Sequence, residues 1–343
     1  MTPHALHAVR RLFRGEVHTV ELIEPFEAAN AEVARVRLWF GDDRPPLVAI
    51  AKCARGDGLA AARRELRFFR CVAPRWPHPA PALLASLDDG EADDARVVLL
   101  TEDLGALGYA LTPDDLAEAR LHAIVDLLVE LHARFWDDLQ ADVVDFAHPA
   151  PSPLRSAQAW PAAVLAANAV TARAELTQLL AEAELTAAER ALLDEVRAGW
   201  ADRFAARAAA GHITLIHGDF HVFGNVMFAA HTSRPRVIDW SELKPGLGPH
   251  DLAYCLHGAP ADDRATRDLA LLHRYWAGLT AAGVRGYDWE LCQWDYRFSL
   301  ITGLLQAVLQ RSTFWLHKTA AVIAEVDALA ALRNPPPITP ART

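Results

Sequence analysis

The chain has 343 residues, 52% of them hydrophobic, and a formal net charge of −10. Those values describe an ordinary soluble globular chain of about two domains and argue against a general nucleic-acid binder. The four cysteines, Cys53, Cys71, Cys255 and Cys292, include no C-x-x-C pair, so zinc-site spacing is absent and free thiols in a reducing compartment are expected. The opening residues MTPHALHAVRRLFRGEV lack the apolar core of a signal peptide. No uncharged apolar stretch reaches the roughly 18 residues of a membrane span. A cytoplasmic protein with neither a nucleic-acid nor a membrane partner is therefore expected.

Residues 14–25 and 32–40 read as strands, and in the second Ala34, Val36, Leu38 and Phe40 alternate with Arg35, Arg37 and Trp39. The first set is expected to face a core and the two arginines to face solvent. The Gly-Asp-Asp-Arg-Pro-Pro run at 41–46 is a turn, followed by a buried strand over 47–53, a helix over 59–72 and a short strand over 97–100. Gly105 and Gly108 then loosen the chain. Thr112-Pro113-Asp114-Asp115 has the composition of a helix start, and the pattern predicts a helix from there to about 138. A loop over 149–161 and helices over 161–182 and 186–209 come next, the last opening on Thr186 and Glu189 in capping-box spacing. Strands are expected at 213–216, 226–229 and 236–239. From 250 the chain reads as helical until Pro335-Pro336-Pro337.

One residue stands out within this pattern. Lys52 is one of three lysines against 31 arginines, and it lies in the apolar run Leu47-Val48-Ala49-Ile50-Ala51-Lys52-Cys53. An ammonium buried in a strand needs an anionic partner, because desolvating it alone costs several kcal/mol. Glu65 on the next helix is the first candidate. Two later strands end in Asp219 and Asp239, and a strand lysine, a helix glutamate and two strand-end aspartates can together hold a nucleotide triphosphate and its metal.

The segment His217-Gly218-Asp219-Phe220-His221 with Asn225, then Ile238-Asp239-Trp240, then Gly246, Gly248 and Asp251-Leu252-Ala253-Tyr254, resembles the aminoglycoside phosphotransferase and choline kinase-like superfamily, which shares its core with protein kinases. Lys52, Glu65, Glu102-Asp103-Leu104 and Leu131-His132-Ala133-Arg134-Phe135-Trp136 agree with it in order and spacing. The resemblance implies an α+β, bilobal protein kinase-like fold. A small antiparallel β N-lobe with one main helix would occupy residues 1–103, and a larger, mostly helical C-lobe would occupy 104–343.

It also implies roles. Asp219 would accept or orient the proton of an attacking hydroxyl, and Asp239 would be the main ligand of Mg²⁺. Asn225 would give a second metal contact, although it stands six residues after Asp219 where the family pattern has five. Either Gly224 lets the loop bulge and return Asn225 to its place, or Asp239 holds the metal in the main. Lys52, oriented by Glu65, would contact the α- and β-phosphates of ATP, and the Glu102–Leu104 linker would meet adenine through backbone groups. His217 would pack beneath the loop, His221 would support the loop or touch a phosphate, and Asp251 would brace the loop from below. Between the first strands no glycine-rich phosphate loop is visible.

The resemblance places the acceptor pocket in the C-terminal helices, where Asp288, Glu290, Trp294, Asp295 and Arg297 are candidates together with Tyr287, Trp289, Tyr296 and Phe298. Acids suit an amine and aromatic faces a quaternary ammonium, while Arg297 and His317 leave an anionic acceptor open. Ordinary helix packing has the same composition. The expected activity is transfer of the γ-phosphate of ATP to a hydroxyl of a small molecule, be it an aminoglycoside, a choline-like amine or another metabolite. The alternatives are a catalytically silent nucleotide-binding regulator and, more distantly, a zinc hydrolase built on His217, Asp219 and His221. The acceptor, ATP against GTP and the oligomeric state are not legible in the sequence.

Overall fold

Alternation in one strand decides how the N-terminal part is layered. The structure, a computed structural model, describes residues 1–28, 30–76, 79–90, 95–112, 116–138, 185–208, 210–309 and 312–337. In it β1 (Val17–Phe26), β2 (Glu32–Phe40), β3 (Leu47–Arg55), β4 (Leu83–Asp88) and β5 (Arg96–Glu102) form an antiparallel sheet in the order β1-β2-β3-β5-β4. Val98 and Leu100 of β5, with Ala49, Ala51 and Cys53 of β3, face one side and pack on Ala5, Ala8 and Val9 of α1 (Pro3–Arg11). Val97, Leu99 and Ala54 face the other side and pack on Ala62 and Leu66 of α2 (Leu59–Arg67). Burying each such Val or Leu contributes roughly 1.5–3 kcal/mol. The two-residue period therefore places Lys52 on the α2 side of the sheet.

The anticipated helix over 59–72 is α2 continued by a wider π-type turn over Phe68–Val72. Among the α-helices and strands of residues 1–112, three were not anticipated: α1, whose Thr2 side chain accepts from the Ala5 N–H at 3.3 Å, the strand β4, and β6 (Tyr109–Leu111). Arg35 departs from its expected solvent exposure. Its Nε donates to Asp103 Oδ2 at 2.6 Å, and it also bonds Glu24, because the 103–105 segment covers that end of β2.

The helix expected from Thr112 is corrected. The Thr112 N–H and hydroxyl both donate to the Val226 carbonyl, at 3.2 and 3.0 Å, so Thr112 extends a small sheet. The helix α3 begins at Glu118 (Glu118–Arg134). The small sheet is β6-β8-β9, with β8 at Val226–Ala229 and β9 at Thr232–Val237, four residues earlier in its start than the expected 236–239.

Residues divide into two compact units, Met1–Thr112 with Asn225–Leu243, and Pro113–Gly224 with Lys244–Thr343. The second unit is mostly helical. Beside α3 it holds α4 (Ala187–Ala208), the strand pair β7 (Thr214–Ile216) and β10 (Lys244–Gly246), then α5 (Pro249–Gly258), α6 (Arg264–Ala281), α7 (Trp289–Leu309), α8 (Thr313–Glu325) and α9 (Ala330–Arg333). α7 is the central helix, packed by α5, α6, α8 and α9. Thr186 and Glu189 form the capping box read from their spacing: the Glu189 N–H donates to Thr186 Oγ1 at 3.2 Å and the Thr186 N–H to Glu189 Oε2 at 2.8 Å. The loop at 149–161 and the helix at 161–182 lie outside the described residues. Among the described residues no helix is long and apolar enough to cross a membrane.

Candidate active site

In the first unit, three charged groups expected at a nucleotide site are brought together. Lys52 Nζ lies 2.6 Å from Glu65 Oε2 and 2.9 Å from Asp239 Oδ1. Burial would lower the Lys52 pKa, but the two carboxylates outweigh it and raise it, so the ammonium is charged at any physiological pH. Burial pushes the Glu65 carboxyl up against the pull of Lys52. Glu65 also takes the Trp240 backbone N–H, which ties α2 to the residue after Asp239.

Packing fixes that tie. The Trp240 ring is fully buried, stacks on Phe68 at 3.9 Å between centroids, and meets Trp76 edge-on at 5.8 Å. Arg64 Nε donates to the Ser241 carbonyl at 2.6 Å and Nη2 to Glu242 Oε1 at 3.0 Å. Asp239 itself sits in the left-handed region, φ 59°, with its side chain 42% exposed. Sequence reasoning missed Arg64, Phe68 and Trp240 as the frame of this carboxylate. The available signal was the Trp directly after Asp239.

Asn225 lies beside Asp239 along the backbone, since the Asn225 carbonyl accepts the Ile238 N–H at 3.0 Å. Just before it the chain turns, and the Gly224 N–H donates to the His221 carbonyl at 3.1 Å. A Cβ on Gly224 would stand 2.9 Å from His221 Nδ1, so this close approach needs glycine. At the expected linker, the Leu104 carbonyl accepts from the Leu107 and Tyr109 N–H groups, and the Leu104 side chain is buried. Glu102 Oε2 accepts from Arg236 Nη2 at 3.0 Å, which uses its side chain within the unit.

In the second unit, Asp219 is half-buried on a loop held through its backbone. Its N–H donates to His217 Nδ1 at 3.3 Å, and its carbonyl accepts from the His221 N–H at 2.7 Å. Below it Asp251, fully buried, accepts the His217 N–H at 2.7 Å on Oδ2 and the Gly218 N–H at 2.9 Å on Oδ1. His132 Nε2 donates to the same carboxylate at 3.3 Å, and His132 Nδ1 meets the Tyr275 hydroxyl at 2.7 Å. Burial alone would raise the Asp251 pKa; the His132 hydrogen bond and the neighbouring imidazoles hold it down to about 2. Tyr275 carried no sequence signal, and His132 was visible only as part of a motif. His221 is half-buried, meets Trp315 edge-on at 5.2 Å, and has its pKa lowered by burial despite the nearby Asp219 charge.

The five acceptor candidates do not form one pocket. Asp295 is fully buried: Arg207 Nε and Nη2 donate to its two oxygens at 2.6 and 2.7 Å, and the Tyr287 hydroxyl donates at 2.9 Å. Trp294 Nε1 donates to the Asn334 carbonyl at 3.1 Å while its ring stacks on Phe298. Asp288 caps the start of α7 by accepting from the Leu291 N–H at 2.8 Å. Glu290 is exposed. Arg297 lines a surface cavity of about 280 Å³ with Asp268, Leu272 and Tyr296. Among the described residues no three His, Cys, Asp or Glu side chains converge as a metal cluster, which leaves the zinc-hydrolase alternative without a ligand set there.

A sequence model of the phosphotransferase enzyme family matches residues 25–294. The chain belongs to this phosphotransferase family. No curated protein matches it. Solved structures similar to it include an aminoglycoside phosphotransferase from Streptomyces rimosus in complex with ADP and streptomycin, at 20% identity and a TM-score of 0.51 over 88% of this chain and 98% of that one. A choline/ethanolamine kinase family protein from Mesorhizobium loti is 14% identical with a TM-score of 0.54, covering 95% and 98%. An ethanolamine kinase from Plasmodium vivax is 16% identical with a TM-score of 0.55, covering 96% and 87%. At these identities the likeness is one of fold, and this phosphotransferase has the protein kinase-like α+β fold expected from its motifs.

Buried histidines give the phosphotransferase a pH signature. Burial holds His257 and His250 down to about 4. The unfolded chain takes protons on these rings near pH 6.5, so their share of stability is complete above that pH and lost as pH falls from 6.5 towards 4. Asp251 contributes stability above about 3.9 that is lost on the way down to about 2. The urea midpoint is therefore expected to fall between pH 7 and pH 4. His257→Gln should remove a part worth up to about 3 kcal/mol. A midpoint flat down to pH 4.5 would contradict the neutral, buried state of these rings.

Proposed function

We propose that this phosphotransferase moves the γ-phosphate of ATP to a hydroxyl of a small molecule. The observation that carries the reading is Lys52 held between Glu65 and Asp239. A charged lysine, fixed by a helix glutamate and adjoining a half-exposed strand-end aspartate, is an arrangement suited to phosphates and their metal. Asp239 and Asn225 offer the hard oxygen donors that Mg²⁺ takes in ones and twos, and they adjoin through the Asn225–Ile238 bond. When bound there, Mg²⁺ supplies positive charge to the phosphate oxygens.

Lys52 would bind the phosphates, and Asp239 would both orient Lys52 and hold the metal. The Leu104 N–H would meet the base, since the Leu104 carbonyl is already used by Leu107 and Tyr109. Asp219 would hold the acceptor hydroxyl in line and take its proton as the oxygen attacks phosphorus and the bond to ADP breaks. The names of the similar structures, an aminoglycoside phosphotransferase and two choline- or ethanolamine-type kinases, support acceptors that are small, polar and hydroxylated.

The test is Mg²⁺-dependent ADP release from ATP in the presence of pooled aminoglycosides, choline-like amines, sugars, nucleosides and hydroxy amino acids. A pool that raises ADP release supports transfer. No response from any pool, with Mg-ATP bound, favours a silent nucleotide-binding protein. Asp239→Ala should weaken Mg-ATP at least about tenfold, or 1.4 kcal/mol, because it removes a metal donor and one of the two anions orienting Lys52. Calorimetric titration with and without Mg²⁺ checks this, and an unchanged affinity would move the metal elsewhere.

A further inference from the structure

The first residues of α5 hold the Asp219 loop on both sides of one residue, Gly218. Asp251 accepts the Gly218 N–H, and the His250 ring donates to the Gly218 carbonyl. Gly218 lies at φ 82°, a conformation open chiefly to glycine. The two peptides that flank Gly218, just before Asp219, are thus each held by one of two adjacent side chains.

His250 is 3% exposed, and its Nε2 is buried without a hydrogen-bond partner from the protein. The bond to Gly218 therefore runs from Nδ1. A neutral imidazole that donates from Nδ1 has a bare acceptor at Nε2. Burial holds the ring to its neutral form, so protonating Nε2 does not relieve it. A buried acceptor left alone is costly, and native interiors pair such atoms with protein or water.

His250 lines a small cavity of about 20 Å³ together with Arg207, Ser299, Thr302, Ile216 and Phe298. A water needs on the order of 10–15 Å³ measured this way, and two to four polar partners. The lining supplies them. Of the five Arg207 N–H groups, Nε and one on Nη2 serve Asp295, one on Nη1 serves the Gly211 carbonyl and the other on Nη2 the His212 carbonyl, leaving one on Nη1. Ser299 Oγ donates to the Asp295 carbonyl at 2.6 Å and keeps its acceptor capacity. A water accepting from Arg207 and donating to His250 and Ser299 satisfies every group.

We propose that this cavity binds one ordered water, which donates to His250 Nε2, and that His250 so fixed is a positioning residue for the Asp219 loop through the Gly218 carbonyl. The water and the tautomer do not depend on the activity proposed above; the effect on turnover rests on it. The same buried chain links Arg207 and Asp295 of the α4–α7 pair to the loop.

The test joins two readouts. In ¹⁵N-histidine-labelled full-length protein, with the His250 signals identified by their loss in His250→Asn, Nδ1 is expected to carry the proton and Nε2 to show the shift of a hydrogen-bonded acceptor. High-resolution crystallography of the same protein is expected to show one water within hydrogen-bond distance of Nε2. A protonated Nε2, or a dry cavity, overturns the proposal whether or not any acceptor is known. For turnover of Mg-ATP, His250→Phe should lower kcat about tenfold at unchanged KM for ATP, while His250→Asn, whose amide can still donate to the Gly218 carbonyl, should recover kcat to within about threefold. A kcat unmoved in His250→Phe, or equal losses in both variants, removes the positioning role.

Discussion

Replacing Asp219 by Asn is expected to lower kcat for phosphate transfer by about 10³-fold, or about 4 kcal/mol, because a positioned proton acceptor contributes roughly 10² to 10⁴. Asparagine matches aspartate in shape and can still contact a hydroxyl, but it cannot take the proton. The loop should keep its form, since four bonds that fix it run through backbone groups that the substitution leaves in place: the Asp219 N–H to His217, the His221 N–H to the Asp219 carbonyl, and the His217 and Gly218 N–H groups to Asp251. Mg-ATP affinity should stay within about twofold of the parent's, because Lys52, Glu65 and Asp239 bind one another without Asp219. Single-turnover ADP formation beside calorimetric Mg-ATP titration separates the two effects. Residual transfer above a tenth of the parent rate would strip Asp219 of the base role. An equal loss of nucleotide affinity would instead make it a binding residue.

How far the sequence revealed this arrangement depends on the range of each signal. Lys52 and Glu65 were legible because both signals are local: period-two alternation turns Lys52 towards the α2 side of the sheet, and the next helix brings Glu65 within reach. The Lys52–Asp239 contact, across 187 residues, has no local signal, and Asp239 was legible only through its motif, as one of two strand-end aspartates that could join Lys52 around a nucleotide. Thr112 failed for the opposite reason. Thr-Pro-Asp-Asp is a sound local helix start, yet pairing with Val226, 114 residues on, outweighs it. Asp295 shows the limit of composition. Acids and aromatics over 287–298 look the same whether they line a pocket or fill an interior. The distinction lies in Arg207, whose guanidinium closes on Asp295 from 88 residues away. The strands β4 and β6 are short, or only partly buried, and carry little alternation to read.

Asp251→Ala is expected to be the most destabilising single change at the site, by about 3–5 kcal/mol, since it strips a buried group from several partners at once. Three donors converge on this carboxylate: the His217 N–H, the Gly218 N–H and His132 Nε2. Alanine leaves all three buried without an acceptor, and each such group costs roughly 1–3 kcal/mol before relaxation. Asp251→Asn is the sharper variant, because its amide keeps one oxygen but turns an N–H towards a donor, so it should lose about half as much stability and still disturb the loop. Urea unfolding at pH 7 measures both, and the same samples report kcat. If Asp251 supports the loop and Asp219 performs the chemistry, Asp251→Asn lowers stability and kcat together, whereas Asp219→Asn lowers kcat at nearly constant stability. The reverse pattern, a stable but inactive Asp251→Asn beside an unstable Asp219→Asn, would exchange the two roles. The geometry makes that exchange a severe test: Asp251 is fully buried with a pKa held down to about 2, while Asp219 is only half-buried.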